Sequence, residues 1–224
     1  MKFEISNQPF TVLRLSMNQG ESIKCQSGAM AWMSPGIKME TKTGGVGNMF
    51  KKAVMGESLA LNHYTAEQAG ELVLAKHSPG DILIFNIKET PIIAQKTALL
   101  AITPNVEMDI YLQKKLSAGF FGGEGFIMQK YSGSGYAWLE IDGAVVERTL
   151  QAGEKLVVDS GYIAAMEATC NMEIQMVKGL SNVILGGEGL FNTVITGPGK
   201  VWLQTMPIAS LAMNLYAHMP HPSN

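Results

Sequence analysis

Residues 172–177 read Met-Glu-Ile-Gln-Met-Val, with apolar and polar positions alternating through Met176. That is the period of a strand with one buried face. Upstream, Gly153-Glu154 opens a short apolar run, Lys155–Asp159, and Ser160-Gly161 divides it from a second run at 162–166. Downstream, a glycine-rich connection leads to Gly-Gly-Glu-Gly, then a strand, a tight Gly-x-Gly turn and a strand carrying Trp202. Glycine pairs of this kind supply the positive φ of hairpins and bulges. Short strands with turn signals about every ten residues predict an all-β sandwich or barrel. Two patterns depart from the strand period. Residues 48–55, 111–118 and 178–185 each read as one or two helical turns. Near the C-terminus, Ile208, Leu211, Ala212 and Leu215 fall at helical spacing between Pro207 and Pro220. The spacing predicts an amphipathic helix over 208–219 that closes the molecule.

The pattern repeats. Residues 122–139, GGEGFIMQKYSGSGYAWL, return at 186–203 as GGEGLFNTVITGPGKVWL, at an offset of 64 with eight of eighteen positions identical. Average composition would give about one identity by chance. A further copy stands at the front: Gly20, Glu21, Ser27, Gly28, Ala31 and Met33 recur at an offset of 133 as Gly153, Glu154, Ser160, Gly161, Ala164 and Met166. The middle copy, Lys96-Thr97-Ala98-Leu99-Leu100-Ala101-Ile102, keeps the apolar pattern and loses the Ser-Gly. Gly56-Glu57, Gly123-Glu124 and Gly187-Glu188 fall at equivalent places. The chain therefore reads as one domain of three β repeats, about 1–76, 77–142 and 143–206, plus the terminal helix. The period exceeds that of solenoid repeats.

Composition narrows the function classes. Of 224 residues, 46% are hydrophobic, 16% are charged and 24 are glycine, which suits a turn-rich β protein with extensive buried or subunit-facing surface. A net charge of −2 provides no basic face for nucleic acid, and the pairs Lys51-Lys52 and Lys114-Lys115 are too short to make one. No apolar run is long enough to span a membrane. The start, MKFEISNQPF, lacks the apolar core of a signal peptide. Cys25 and Cys170, far apart and outside any CxxC, read as two buried thiols in a reducing cytoplasm, with a disulfide as the alternative.

The Gly-Glu turns, the Thr-Gly-x-Gly-x-Val-Trp-Leu strand pair and the Ser-Gly-Ala-Met segment resemble the family named for "altered inheritance of mitochondria 24", also called domain of unknown function 124. The resemblance runs from Met1 to about Pro220. It implies three pseudo-threefold-related units of the tryptophan RNA-binding attenuation protein type, a short double-stranded β-helix. The family's mitochondrial members are linked to inner-membrane organisation, and its bacterial members have no assigned role. Without a presequence, the chain looks like a bacterial member. No catalytic residues come with the resemblance.

Glu57, Glu124 and Glu188, if brought together, would raise one another's pKa or hold a cation; the alternative is that each caps a neighbouring turn. A metal-cupin site needs His-x-His, which His63, His77, His218 and His221 do not supply. Gly44-Gly45-Val46-Gly47 before Lys51 fails the phosphate-loop spacing, and no serine, cysteine or zinc catalytic motif occurs. RNA binding does not follow from the implied fold. Lys24 aligns with Val157 and Lys130 with Val194, so basic positions do not recur, and Trp138 and Trp202 lie in apolar strands of the core. Met49, Phe50, Phe120, Phe121, Ile184 and Leu185 form apolar tips, read either as one interaction patch or as plugs of the core.

The expectation is a non-enzymatic scaffold or interaction domain: a homo-oligomer that engages a protein partner or a membrane surface and does not bind nucleic acid. The alternative is a small-ligand or metal-ion module built on the three repeated acids. The sequence names no cofactor.

Overall fold

The computed structural model describes residues 1–6, 8–41, 61–75, 78–114, 125–176 and 191–219. Among them the protein is all-β with one short C-terminal α-helix. The front of the chain forms β1 (Lys2–Ser6), β2 (Val12–Met17), β3 (Ser22–Gln26), β4 (Met30–Met33), β5 (Ile37–Thr41), β6 (Leu61–Ala66) and β7 (Gly70–Ala75). The middle forms β8 (Gly80–Asn86), β9 (Ile92–Gln95), β10 (Leu99–Ile102), β11 (Val106–Lys114), β12 (Phe126–Gly133) and β13 (Tyr136–Asp142). Last come β14 (Val145–Leu150), β15 (Lys155–Asp159), β16 (Ile163–Glu167), β17 (Asn171–Met176), β18 (Phe191–Thr196), β19 (Gly199–Gln204) and α1 (Ile208–His218).

By compactness the chain divides into two units. One comprises Met1–Pro91, Lys96–Asp109 and Tyr131–Ile141, the other Ile92–Gln95, Ile110–Lys130 and Asp142–Asn224. The first holds a four-stranded sheet, β1-β2-β7-β4, and a six-stranded sheet, β5-β6-β3-β10-β13-β8. Leu13, Leu15, Ile23, Tyr64, Leu72, Leu74 and Trp138 are packed in its core. The second is built on the sheet β11-β12-β9-β16-β19-β14 and the three-stranded sheet β15-β18-β17. Its core includes Phe126, Met128, Ile163, Met166, Ile195 and Val201.

Strand neighbours follow one rule in each sequence copy. β2 pairs with β7, β8 with β13 and β14 with β19; β4, β10 and β16 cover the other side of those same partners. β3, β9 and β15 pair with β6, β12 and β18, which are flanked in turn by β5, β11 and β17. Successive copies join where β3 meets β10 and β9 meets β16, both antiparallel.

The Gly-Glu turns show how sequence sets this geometry. Gly20 and Gly153 sit at φ +84° and +78°, and each opens a strand. The carboxylate that follows folds back: Glu21 accepts from the Asn18 amide at 2.7 Å and Glu154 from the Gln151 amide at 2.8 Å. The turn then clamps the distant hairpin, with the Ala66 amide donating to the Glu21 carbonyl and the Gly197 amide to the Glu154 carbonyl. Gly135 and Gly199, the last glycines of the Gly-x-Gly turns, have φ +130° and +144°. A Cβ at Gly135 would land on the Thr103 hydroxyl, and one at Gly199 would lie 2.7 Å from Cys170 Sγ.

Two expectations change. Residues 111–114 are strand, not the start of helical turns, because Glu107, Asp109 and Tyr111 stay exposed while Val106, Met108, Ile110 and Leu112 turn inward. Period two thus runs unbroken from Val106 to Leu112. The stretches 48–55, 115–118 and 178–185 lie outside the described residues. The C-terminal helix forms where the spacing predicts it, but none of its residues is buried, so it closes nothing within its own unit.

Candidate functional site

The site residues named from sequence all fall in the undescribed connections. Glu57, Glu124 and Glu188, and the apolar tips Met49, Phe50, Phe120, Phe121, Ile184 and Leu185, lie outside the described residues. His77 and His221 do too. Glu21 and Glu154 show what an acid after glycine does in this chain, since each accepts a backbone amide in its own turn. Glu21 also pairs with the N-terminal ammonium group, and that bond holds its carboxyl below the usual carboxylate range.

Among the described residues no three His, Cys, Asp or Glu side chains gather as a metal site would require. The His218 ring nitrogen Nδ1 lies 2.8 Å from the Asn214 carbonyl, one turn back on α1. Cys25 and Cys170 are both buried free thiols. Burial pushes both thiols up, away from the thiolate that nucleophilic chemistry uses. Lys24 donates to the Pro104 carbonyl at 2.7 Å. No helix among the described residues is long and apolar enough to cross a membrane.

Exposed apolar surface is what the described residues do present. Asp142 Oδ2 accepts from the Ile208 amide at 3.0 Å, so a side chain from the end of β13 caps the first turn of α1. Pro207 is buried and fixes where the helix leaves. From there Ile208, Leu215 (59% exposed), Tyr216 (67%) and Met219 stand out from the helix. Lys and Arg are absent from α1, and its polar positions are Ser210, Asn214 and His218. The sequence located the helix, but spacing alone does not say whether an apolar stripe is covered.

Each unit also exposes apolar side chains on one of its strands, β4 in the first and β15 in the second. Trp32 is 45% exposed, with its indole N–H donating to Glu71 at 3.1 Å and the Arg14 guanidinium 5.4 Å from its ring centre. Val157 on β15 is 62% exposed, and Tyr162, just beyond that strand, is exposed as well. The two tryptophans read as core from sequence are core: Trp138 is fully buried and Trp202 nearly so.

Three comparisons bear on identity. An "uncharacterized protein" of Streptococcus pyogenes serotype M6 is 26% identical over 235 residues, spanning 100% of this chain and 93% of its own. A Streptococcus pyogenes protein solved by X-ray crystallography superposes with a TM-score of 0.82 at 23% identity, covering 97% of this chain and 99% of that one. At that identity the likeness shows the fold alone. The model of the family described as "Mitochondrial biogenesis AIM24" matches residues 3–206. With two strand-rich units, one exposed terminal helix and a family match across nearly its whole length, the chain belongs to the Mitochondrial biogenesis AIM24 family.

Proposed function

We propose that this chain is a non-enzymatic scaffold or interaction domain that self-associates and uses its terminal helix to engage a partner protein or a membrane surface. The observation that carries this reading is α1. It is capped at its first turn by Asp142 yet has no buried residue, and it presents Ile208, Leu215 and Tyr216 to solvent. An eleven-residue helix is marginal on its own, and an apolar stripe held out in water is normally covered by something. The absence of Lys and Arg from α1 favours an apolar protein groove or a zwitterionic surface over anionic lipid.

The test compares wild type with Leu215→Asp/Tyr216→Asp in two assays: co-sedimentation with phosphatidylcholine vesicles, and native mass spectrometry of protein isolated from its own cells. Wild type should pellet with vesicles or retain a bound protein, and the variant should lose that association at an unchanged melting temperature. Wild type that neither pellets nor retains a partner defeats the reading.

A further inference from the structure

We propose that α1 is a conditional helix, folded while a polar latch on the body of its own unit holds its first turn and melted when that latch opens. The latch is Asp142 and Gln204, set against the Ser160–Gly161 turn. The proposal rests on the reading of α1 as the element that engages a partner, and names the regulation of that element.

The helix lacks the means to start itself. Its N-cap residue is Pro207, which makes no side-chain cap bond, and no acid stands in the first turn to meet the positive end of the helix dipole. Eleven residues are marginal in water, and none of them is buried, so packing within the unit adds little. At the far end, the Met219 amide and the His218 ring turn to carbonyls of the helix itself, those of Tyr216 and Asn214.

The missing cap comes from elsewhere in the unit. The Ile208 amide donates at 3.0 Å to Oδ2 of Asp142, 66 residues upstream. Asp142 is held by its backbone: its amide donates to Gln204 Oε1 at 3.1 Å, and its carbonyl accepts from the Met206 amide at 3.1 Å. Gln204 is buried, and Nε2 of its side chain donates to the Gly161 carbonyl at 2.8 Å. One buried amide group thus ties the 3-10 turn Ser160–Tyr162 to the residue that caps the helix. Thr205 closes the junction. Its hydroxyl accepts from the Ala144 amide at 2.8 Å, and its own amide donates to the Ala144 carbonyl at 3.2 Å. Between them Gly143 sits at φ +76°, where a Cβ would lie 2.6 Å from the Thr205 hydroxyl. All of these residues belong to the second compact unit.

The repeats give this junction two continuations. At the offset of 64, Met206-Pro207-Ile208 corresponds to Asp142-Gly143-Ala144, where the chain passes from β13 straight into β14. After β19 the same junction leaves the sheet and becomes α1. A helix whose order is decided by bonds outside it can be switched without touching the strands. Latch and binding are then linked: whatever binds folded α1 favours the closed latch, and opening the latch weakens that binding.

Hydrogen–deuterium exchange of the full chain tests this, with the amides of 211–218 as the readout and those of β16 as the reference for the body. Asp142→Ala removes the cap acceptor and should speed exchange in α1 about fivefold, the typical effect of a lost cap, with β16 unchanged. Asp142→Asn keeps a side-chain oxygen for the Ile208 amide and should restore most of the protection. Gln204→Met leaves Asp142 in place and should shift α1 in the same direction as Asp142→Ala, so the result does not hang on one variant. Wild-type exchange of α1 in Asp142→Ala overturns the proposal, as does Asp142→Asn exchanging as fast as Asp142→Ala. Association with phosphatidylcholine vesicles is scored separately. If the latch variants speed exchange in α1 yet associate as wild type does, the latch stands and the functional reading fails. If Leu215→Asp/Tyr216→Asp abolishes association while Asp142→Ala leaves α1 exchange unchanged, that reading stands and the latch fails.

Discussion

Trp32 on β4 lies directly across from Val73 on β7, whereas Ala165 on β16 lies directly across from Trp202 on β19. Ala101 and Trp138 form the corresponding pair on β10 and β13. Each pair joins one indole to one smaller side chain, and in the first copy the indole has changed strands. Directly opposed side chains share one face of a sheet, so their combined volume is what the core must accommodate. The exchange also moves the indole from the interior to the β4 edge, where Glu71 and Arg14 contact it.

Exchanging the middle pair tests that complementarity. Trp138→Val should cost about 3–5 kcal/mol, as large-to-small changes at fully buried aromatic sites do. Ala101→Trp should destabilise by overpacking. Ala101→Trp/Trp138→Val should recover part of the summed loss, read as a coupling of about 1–3 kcal/mol in urea unfolding. Strict additivity would refute the volume argument.

The turn glycines should separate into two grades. Gly20→Ala and Gly153→Ala meet no atom within 4 Å, so each loses only the left-handed backbone preference, about 1–2 kcal/mol. Gly135→Ala and Gly199→Ala meet Thr103 and Thr169 as well and should cost clearly more. Chemical denaturation of the four variants checks the order.

The carboxyl of Glu147 is held below its ordinary value, first by its hydrogen bond from Lys200 and also by one from the Trp202 indole, with burial opposing them. A carboxylate depressed in the folded state stabilises above its unfolded pKa and loses that contribution as pH falls through the folded one. Glu147→Gln should therefore be less stable than wild type at pH 7. The gap should close as the pH drops below 4.5, the ordinary value, towards the depressed one. Urea midpoints across that range measure it. A gap that widens in acid would contradict the assignment.

Thiol reactivity should follow folding. Cys25 and Cys170 are buried, and both thiols are pushed up by burial. An aromatic disulfide reagent at pH 8 should label neither quickly in the native protein and both in urea. Fast native labelling of either would show that the buried environment opens.

Much of the strand framework was legible from alternation and turn chemistry. β15 runs over Lys155–Asp159 as read, β17 carries the alternating 172–176, and α1 starts at Ile208. Even the middle copy, which lacks the Ser-Gly, makes a 3-10 turn at Lys96–Ala98 before β10, as the third copy does at Ser160–Tyr162 before β16. Strand neighbours were not legible, because a period of two says which face is buried and not which strand lies alongside. β1 was missed for a related reason. Lys2–Ser6 alternates Phe3 and Ile5 with polar residues over only five positions, and its order comes from pairing with β2, which no local pattern encodes. The acids and apolar tips named from sequence lie in connections outside the described residues. The exposed edges had one faint signal, an apolar Val157 where the first copy has Lys24.

Native mass spectrometry of the untagged protein, isolated gently from its own cells, tests the central claim most directly. The account expects an oligomer of identical chains, or a chain that retains a partner protein or lipid and loses it in the Leu215→Asp/Tyr216→Asp variant. A clean monomer carrying neither a second copy, a partner nor a lipid would contradict it.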